Sequence, residues 1–266
     1  MDNVTISLIP AVGMMIVGIV AVVYWRRASG LQLRWFWLGA GLWAVAVGLK
    51  VVCALLINKA PIGAMEENLS RPLLFLAGGL FLGVQSSLFE IGLTLLAVLI
   101  WRQFGRDADR AIGIGVGAGA FESFLLGISS LAAILTCLAG LPGSEALREG
   151  IDKVAALTPF FWLVAPVERV ISILCHASSR ALVLLGVVKR KRLLVLWGFL
   201  LFALLDGIAG GAHVSGMLGK VSMWWIELAI LPVALVSIPI LKWCRVEWNR
   251  GGNDGLESEA VARQGA

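Results

Sequence analysis

The chain has 266 residues, 59% of them hydrophobic and 15% charged, with a mean hydropathy of +0.90. That balance excludes an ordinary soluble domain and matches a multispanning membrane protein. The formal charge of +5 lies mainly in short loops, where it sets topology, so nucleic-acid binding is not expected.

A hydrocarbon core about 30 Å thick is crossed by roughly 20 apolar residues of helix. Seven stretches reach that length: 5–24, 35–57, 73–101, 111–138, 158–188, 193–217 and 223–243. The fold class is therefore an all-α polytopic bundle of about seven transmembrane helices, with one domain over 1–250 and a polar, disordered tail over 251–266. The first stretch is preceded by Asp2 rather than a basic region and is too long for a signal-peptide core, so it is read as a retained span. The third and fifth exceed the minimum, which predicts tilt or a kink. Gly83-Val84-Gln85-Ser86-Ser87 is the expected irregularity in the third.

Basic residues alternate between the two sides. One side receives Arg26, Arg27 and Arg34, then Arg102, Arg106 and Arg110, then Lys189 to Arg192, then Lys242, Arg245 and Arg250. The other receives Lys59, Arg71, Arg148, Lys153 and Lys220. The positive-inside bias places the N-terminus outside and the C-terminus in the cytoplasm. Trp35, Trp37, Trp101, Trp162, Trp224, Trp225, Trp243 and Trp248 fall near span ends and read as interfacial anchors. Cys53, Cys137, Cys175 and Cys244 form no CxxC pair and lie in or beside apolar segments, which argues against a zinc knuckle or disulfide scaffold and for buried free thiols; a disulfide between Cys53 and Cys137, both near outer span ends, stays open.

Glu90, Glu122, the pair Glu168-Arg169 and Asp206 lie deep inside apolar runs, with His176 two turns beyond the pair. A charge at a span centre costs about 2.5–3.5 kcal/mol even on the lenient insertion scale, so such residues mark a working site or an internal ion pair. Gly113, Gly115, Gly117 and Gly119 open the fourth span and favour close helix approach, which carries Glu122 inward. In the fifth span Arg169, His176 and Arg180 share one face, but Arg180 is near enough to the inner end to snorkel. Lys50 and Glu227 are likewise read as interfacial. Asp206 and His213 share a face of the sixth span, with His213 about 10 Å nearer the outer surface, which disfavours joint ligation with His176.

Read in order, these motifs resemble the YhfC-type membrane peptidases, distant relatives of the CAAX-protease and bacteriocin-processing (CPBP) membrane proteases. The matching elements are Phe89-Glu90, Gly115 through Glu122, Glu168-Arg169 followed by His176, and Ala203-Leu204-Leu205-Asp206-Gly207. The resemblance implies a multi-helix protease in which glutamates and histidines activate a water. Departures from that pattern are Ile91 for a second glutamate, Thr94 for an arginine, and Ala118 and Phe202 for histidines.

On this reading the chain is an intramembrane protease homologue, active or inactive. Glu122 or Glu90 activates water, His176 assists, Arg169 orients the carboxylates, and Glu168 and Asp206 complete the site. One alternative is a non-catalytic scaffold or accessory subunit held by a Glu168-Arg169-Asp206 lock; another is a proton-coupled or small-solute transporter. Metal and cofactor stay open. The expected partners are lipids, a peptide or membrane-protein substrate, or a partner subunit, in a bacterial or archaeal plasma membrane.

Overall fold

The computed structural model describes the backbone of residues 2–264 and the side chains of residues 2–250. Among the described residues the chain is all helical, and seven helical segments are long and apolar enough to cross a membrane: Asn3–Ser29, Leu33–Asn68, Arg71–Ile100, Ala108–Leu138, Phe161–Val188, Arg192–Val214 and Trp224–Arg250. The tail expected to be disordered, 251–266, lies outside the residues described with side chains.

The first segment consists of α1 (Asn3–Ile6) and α2 (Leu8–Ser29), and α2 ends at Gly30, whose φ of 68° provides the left-handed turn that a helix C-terminus favours. The second consists of α3 (Leu33–Cys53), a π turn at Ala54–Asn58 and α4 (Lys59–Asn68). The third is α5 (Arg71–Ile100), opened by Pro72 in its first turn, where the missing N–H costs nothing. The fourth is α6 (Ala108–Leu138), capped by Asp107, whose side chain accepts from Arg110 N. A short helix, α7 (Glu145–Leu157), precedes α8 (Phe161–Val188), α9 (Arg192–Val214) and α10 (Trp224–Gln264).

The long helices pack around α8, which is far more buried than any other span. It lies against α6, α9 and α10, with α2 and α5 also in contact, while α5 packs along α9 and α6 against α2 and α3. Glycine makes the closest approaches. A Cβ on Gly115 would lie 2.5 Å from the His176 carbonyl oxygen on α8, and one on Gly117 would lie 2.1 Å from the Phe36 carbonyl oxygen on α3. The alternating glycines of α6 thus serve two neighbours on opposite sides.

Two expectations are corrected, and one open alternative is closed. The third span is not interrupted at Gly83 to Ser87: α5 is continuous, because Gly83 abuts Ala203 and Gly207 of α9 and the Ser87 hydroxyl donates to Phe199 O at 2.8 Å. The irregularity sits instead in the second span, at the π turn, where Asn58 and Gln85 exchange two amide hydrogen bonds of 2.8 Å. Trp35 and Trp248 are not interfacial anchors; both are buried in the core, and the Trp248 indole donates to Gly105 O at 3.0 Å. Cys53 and Cys137 are free thiols.

Candidate functional site

Five helices bring the six candidate residues together with four others, Lys50, Trp43, Ser86 and Arg180: α3 contributes Lys50 and Trp43, α5 Ser86 and Glu90, α6 Glu122, α8 Glu168, Arg169, His176 and Arg180, and α9 Asp206. Glu90 lies at the centre. Its Oε1 accepts from Lys50 Nζ at 2.7 Å and its Oε2 from Arg180 Nη2 at 3.2 Å. Lys50 also donates to Ser86 Oγ at 2.8 Å and stands 3.6 Å from Asp206 Oδ2, while the Ser86 hydroxyl donates to Asp206.

Glu122 forms the other half. Its Oε1 accepts from Arg169 Nη1 at 2.7 Å, and its Oε2 receives the Trp43 indole N–H at 3.1 Å and faces His176 Nε2 at 2.7 Å. Arg169 reaches Glu168 as well, through Nη2 at 2.5 Å. His176 joins the two halves, since its Nδ1 lies 2.6 Å from Arg180 Nη1. A guanidinium has donors and no acceptor, so Nδ1 accepts from Arg180 and Nε2–H donates to Glu122. The imidazole is therefore fixed as one neutral tautomer with both nitrogens engaged.

This geometry revises the reading of individual residues. Arg180 does not snorkel; it is fully buried and bonded to Glu90 and His176. Lys50 is not interfacial but bonded inside the cluster, because Glu90 and Asp206 draw the ammonium inward. Arg169 pairs with Glu122 and Glu168 and not with Asp206, whose cation is Lys50, so the lock has different members from those expected. Glu227 is buried too, with Oε2 lacking a hydrogen-bond partner among the described residues. His213 is exposed and apart from the cluster.

Phe202 and Ala118 lie near the cluster or its helices. Phe202 is fully buried, its ring 5.0 Å from that of His176 in an edge-on arrangement and 5.6 Å from the Arg180 guanidinium carbon. Ala118 is buried where α6 meets Gly39 of α3. The Phe202 ring therefore packs against both His176 and Arg180.

A bundle of helices apolar enough to span a membrane, with glutamates, a histidine and an aspartate converging inside it, defines a polytopic membrane protein with a buried ionic centre. The chain belongs to the YhfC intramembrane metalloprotease family, whose model matches residues 13–230. No curated protein and no solved structure matches it.

The family description implies a metal, and the donor set can be tested for it. A catalytic zinc takes about three nitrogen or oxygen ligands from the protein and keeps a position open for water. Among the described residues no group of three or more His, Cys, Asp or Glu is arranged to hold a metal. The chemistry explains why. Lys50 and Arg180 occupy both oxygens of Glu90, Arg169, Trp43 and His176 occupy those of Glu122, and Arg180 takes the free lone pair of His176. A divalent ion here would have to displace a buried guanidinium or ammonium and then sit beside it. The residues present do not fit the metal.

Proposed function

We propose that this chain is a non-catalytic member of its protease family, a membrane scaffold or accessory subunit whose ionic centre locks five helices together. One observation carries the reading: every carboxylate in the cluster, and both nitrogens of His176, are already committed to a cationic or hydrogen-bonding partner. Hydrolysis needs a base with a free lone pair beside a water and donors aimed at the oxyanion. Here the lone pair of His176 is held by Arg180, and Glu122 is held by three donors. Each of the four carboxylates, Glu90, Glu122, Glu168 and Asp206, lies beside at least one of the three cations Lys50, Arg169 and Arg180, and removing one partner of a buried pair is costly. We infer a bacterial or archaeal plasma-membrane protein with its N-terminus outside, which the basic-loop bias supports, and a partner subunit or retained peptide as its physiological ligand.

The test is cleavage by the full chain in proteoliposomes, with membrane-spanning peptides read by mass spectrometry and Glu122→Gln and His176→Ala as comparisons. Identical peptide profiles for all three proteins are expected. Processing by the wild type that disappears in a folded His176→Ala variant would restore the hydrolytic reading, with Glu122 or Glu90 as base.

A further inference from the structure

A second feature lies away from the ionic cluster. Between α2 and α10, with α8 and α6 as its floor, runs a groove of about 640 Å³. Its walls are apolar: Ile16, Val20 and Ala21 on α2, Ile173 and Ala177 on α8, and Ile238 on α10. The stretch from Ile16 to Trp25 makes it about 13 Å long at 1.5 Å per residue. Its apolar character ends at one end of the bundle, where Tyr24, Trp25, Lys242 and Arg245 surround the mouth.

The mouth is organised. The Arg245 guanidinium lies 5.3 Å from the centre of the Trp25 ring and pairs with Asp109 Oδ1 at 3.1 Å, and the Trp25 indole donates to Asp109 O at 3.2 Å. Arg245 is thereby held at the rim with donors to spare, since one carboxylate does not use all five N–H groups. Lys242, one helical turn earlier on the same helix, is exposed and makes no ion pair among the described residues. Tyr24 and Trp25 carry a polar edge on an aromatic body, as side chains at a membrane–water boundary do. The groove therefore offers a slot of hydrocarbon character capped by two cations and two amphipathic rings.

We propose that this groove is a binding site for an anionic phospholipid, with an acyl chain laid along α8 and the headgroup phosphate at Lys242 and Arg245. Charge complementarity selects the occupant: a slot without charge along its length, and with two cations against the single carboxylate of Asp109 at one end, keeps a net positive rim that matches an amphiphile whose only charged part is an anionic head. A zwitterionic lipid fills the same slot but brings an ammonium to the same rim.

Native mass spectrometry of the full-length protein from mild detergent tests this, with dioleoyl phosphatidylglycerol and dioleoyl phosphatidylcholine as probes. The wild type is expected to retain phosphatidylglycerol in preference to phosphatidylcholine. Lys242→Gln should weaken phosphatidylglycerol retention by about fivefold, the effect of one basic residue at an anionic lipid surface, and leave phosphatidylcholine unchanged. Val20→Trp, at an exposed position on the groove wall, should displace both lipids without moving the melting temperature. Equal retention of the two lipids, or phosphatidylglycerol retention indifferent to both substitutions, overturns the proposal. So does a peptide or second copy of the chain that leaves the groove on Val20→Trp while lipid binding stays constant.

Discussion

Arg180→Met removes a guanidinium that is fully buried, donates to His176 Nδ1 at 2.6 Å and to Glu90 Oε2 at 3.2 Å, and packs over the Phe202 ring. Methionine keeps much of the stem volume and none of the charge, so the loss reports the ion pair more than a cavity. Breaking a buried pair by deleting one partner costs about 3–5 kcal/mol, because the other charge stays behind without compensation. Glu90 retains Lys50 on its other oxygen, which places the expected value at the lower end, about 3 kcal/mol. For a chain of this size each kcal/mol moves the midpoint by roughly 2–4 °C, so thermal unfolding in detergent should fall by about 6–12 °C. Glu90→Gln added to Arg180→Met removes both partners, and the double variant should lose less than the sum of the two singles by about 1–3 kcal/mol. An Arg180→Met melt within about 1 °C of wild type, or a strictly additive cycle, would refute the assignment of Arg180 to the cluster.

Other substitutions probe the same construction at different points. Glu168→Gln should cost roughly 0.5–1 kcal/mol, since Glu168 is partly exposed and Arg169 keeps Glu122; Glu122→Gln, which weakens contacts to Arg169 and His176 together, should cost at least twice that in the same detergent melt. Gly117→Val should abolish recovery of folded protein, because even its Cβ would lie 2.1 Å from the Phe36 carbonyl oxygen, whereas Gly48→Ala, with open space around its Cβ, should stabilise α3 by about 0.5–1 kcal/mol. At the N-terminus, hydrogen bonds from Thr5 hold the Asp2 carboxylate below its usual range. Its contribution is therefore present above the unfolded carboxylate value of about 3.9 and lost as pH falls through the lower folded value. The melting difference between wild type and Asp2→Asn should accordingly shrink to nothing on acidification.

The spans were legible because their signal is additive: twenty apolar residues outweigh any single exception, and the alternating basic loops divide them. Convergence of Glu90, Glu122, Arg169, His176 and Asp206 was legible for a related reason, since each charge within an apolar run needs a partner. Two of the three cations, Lys50 and Arg180, were not legible as members of the cluster. Arg180 shares a face with His176 near a helix end, but distance from a helix end says nothing about which neighbour lies over it; Phe202 and Glu90 close over that guanidinium from other helices. Lys50 failed similarly, as its partners come from α5 and α9, over 30 positions away at the nearest, Ser86. The signal that could have found both is charge balance: four interior carboxylates call for more than the single cation Arg169. The predicted break at Gly83 failed because glycine and serine in a membrane helix also serve close packing against a neighbour, which α9 supplies.

The central claim is that internal cations, and not a metal, hold the carboxylates and imidazole of this site. Elemental analysis of the purified full-length chain after dialysis against zinc and then chelator-free buffer tests it most directly, with the melting temperature followed before and after chelation. The account predicts metal well below one equivalent per chain and a melting temperature indifferent to the chelator. One tightly held zinc per chain, lost on chelation with a fall in melting temperature and abolished by His176→Ala, would contradict it.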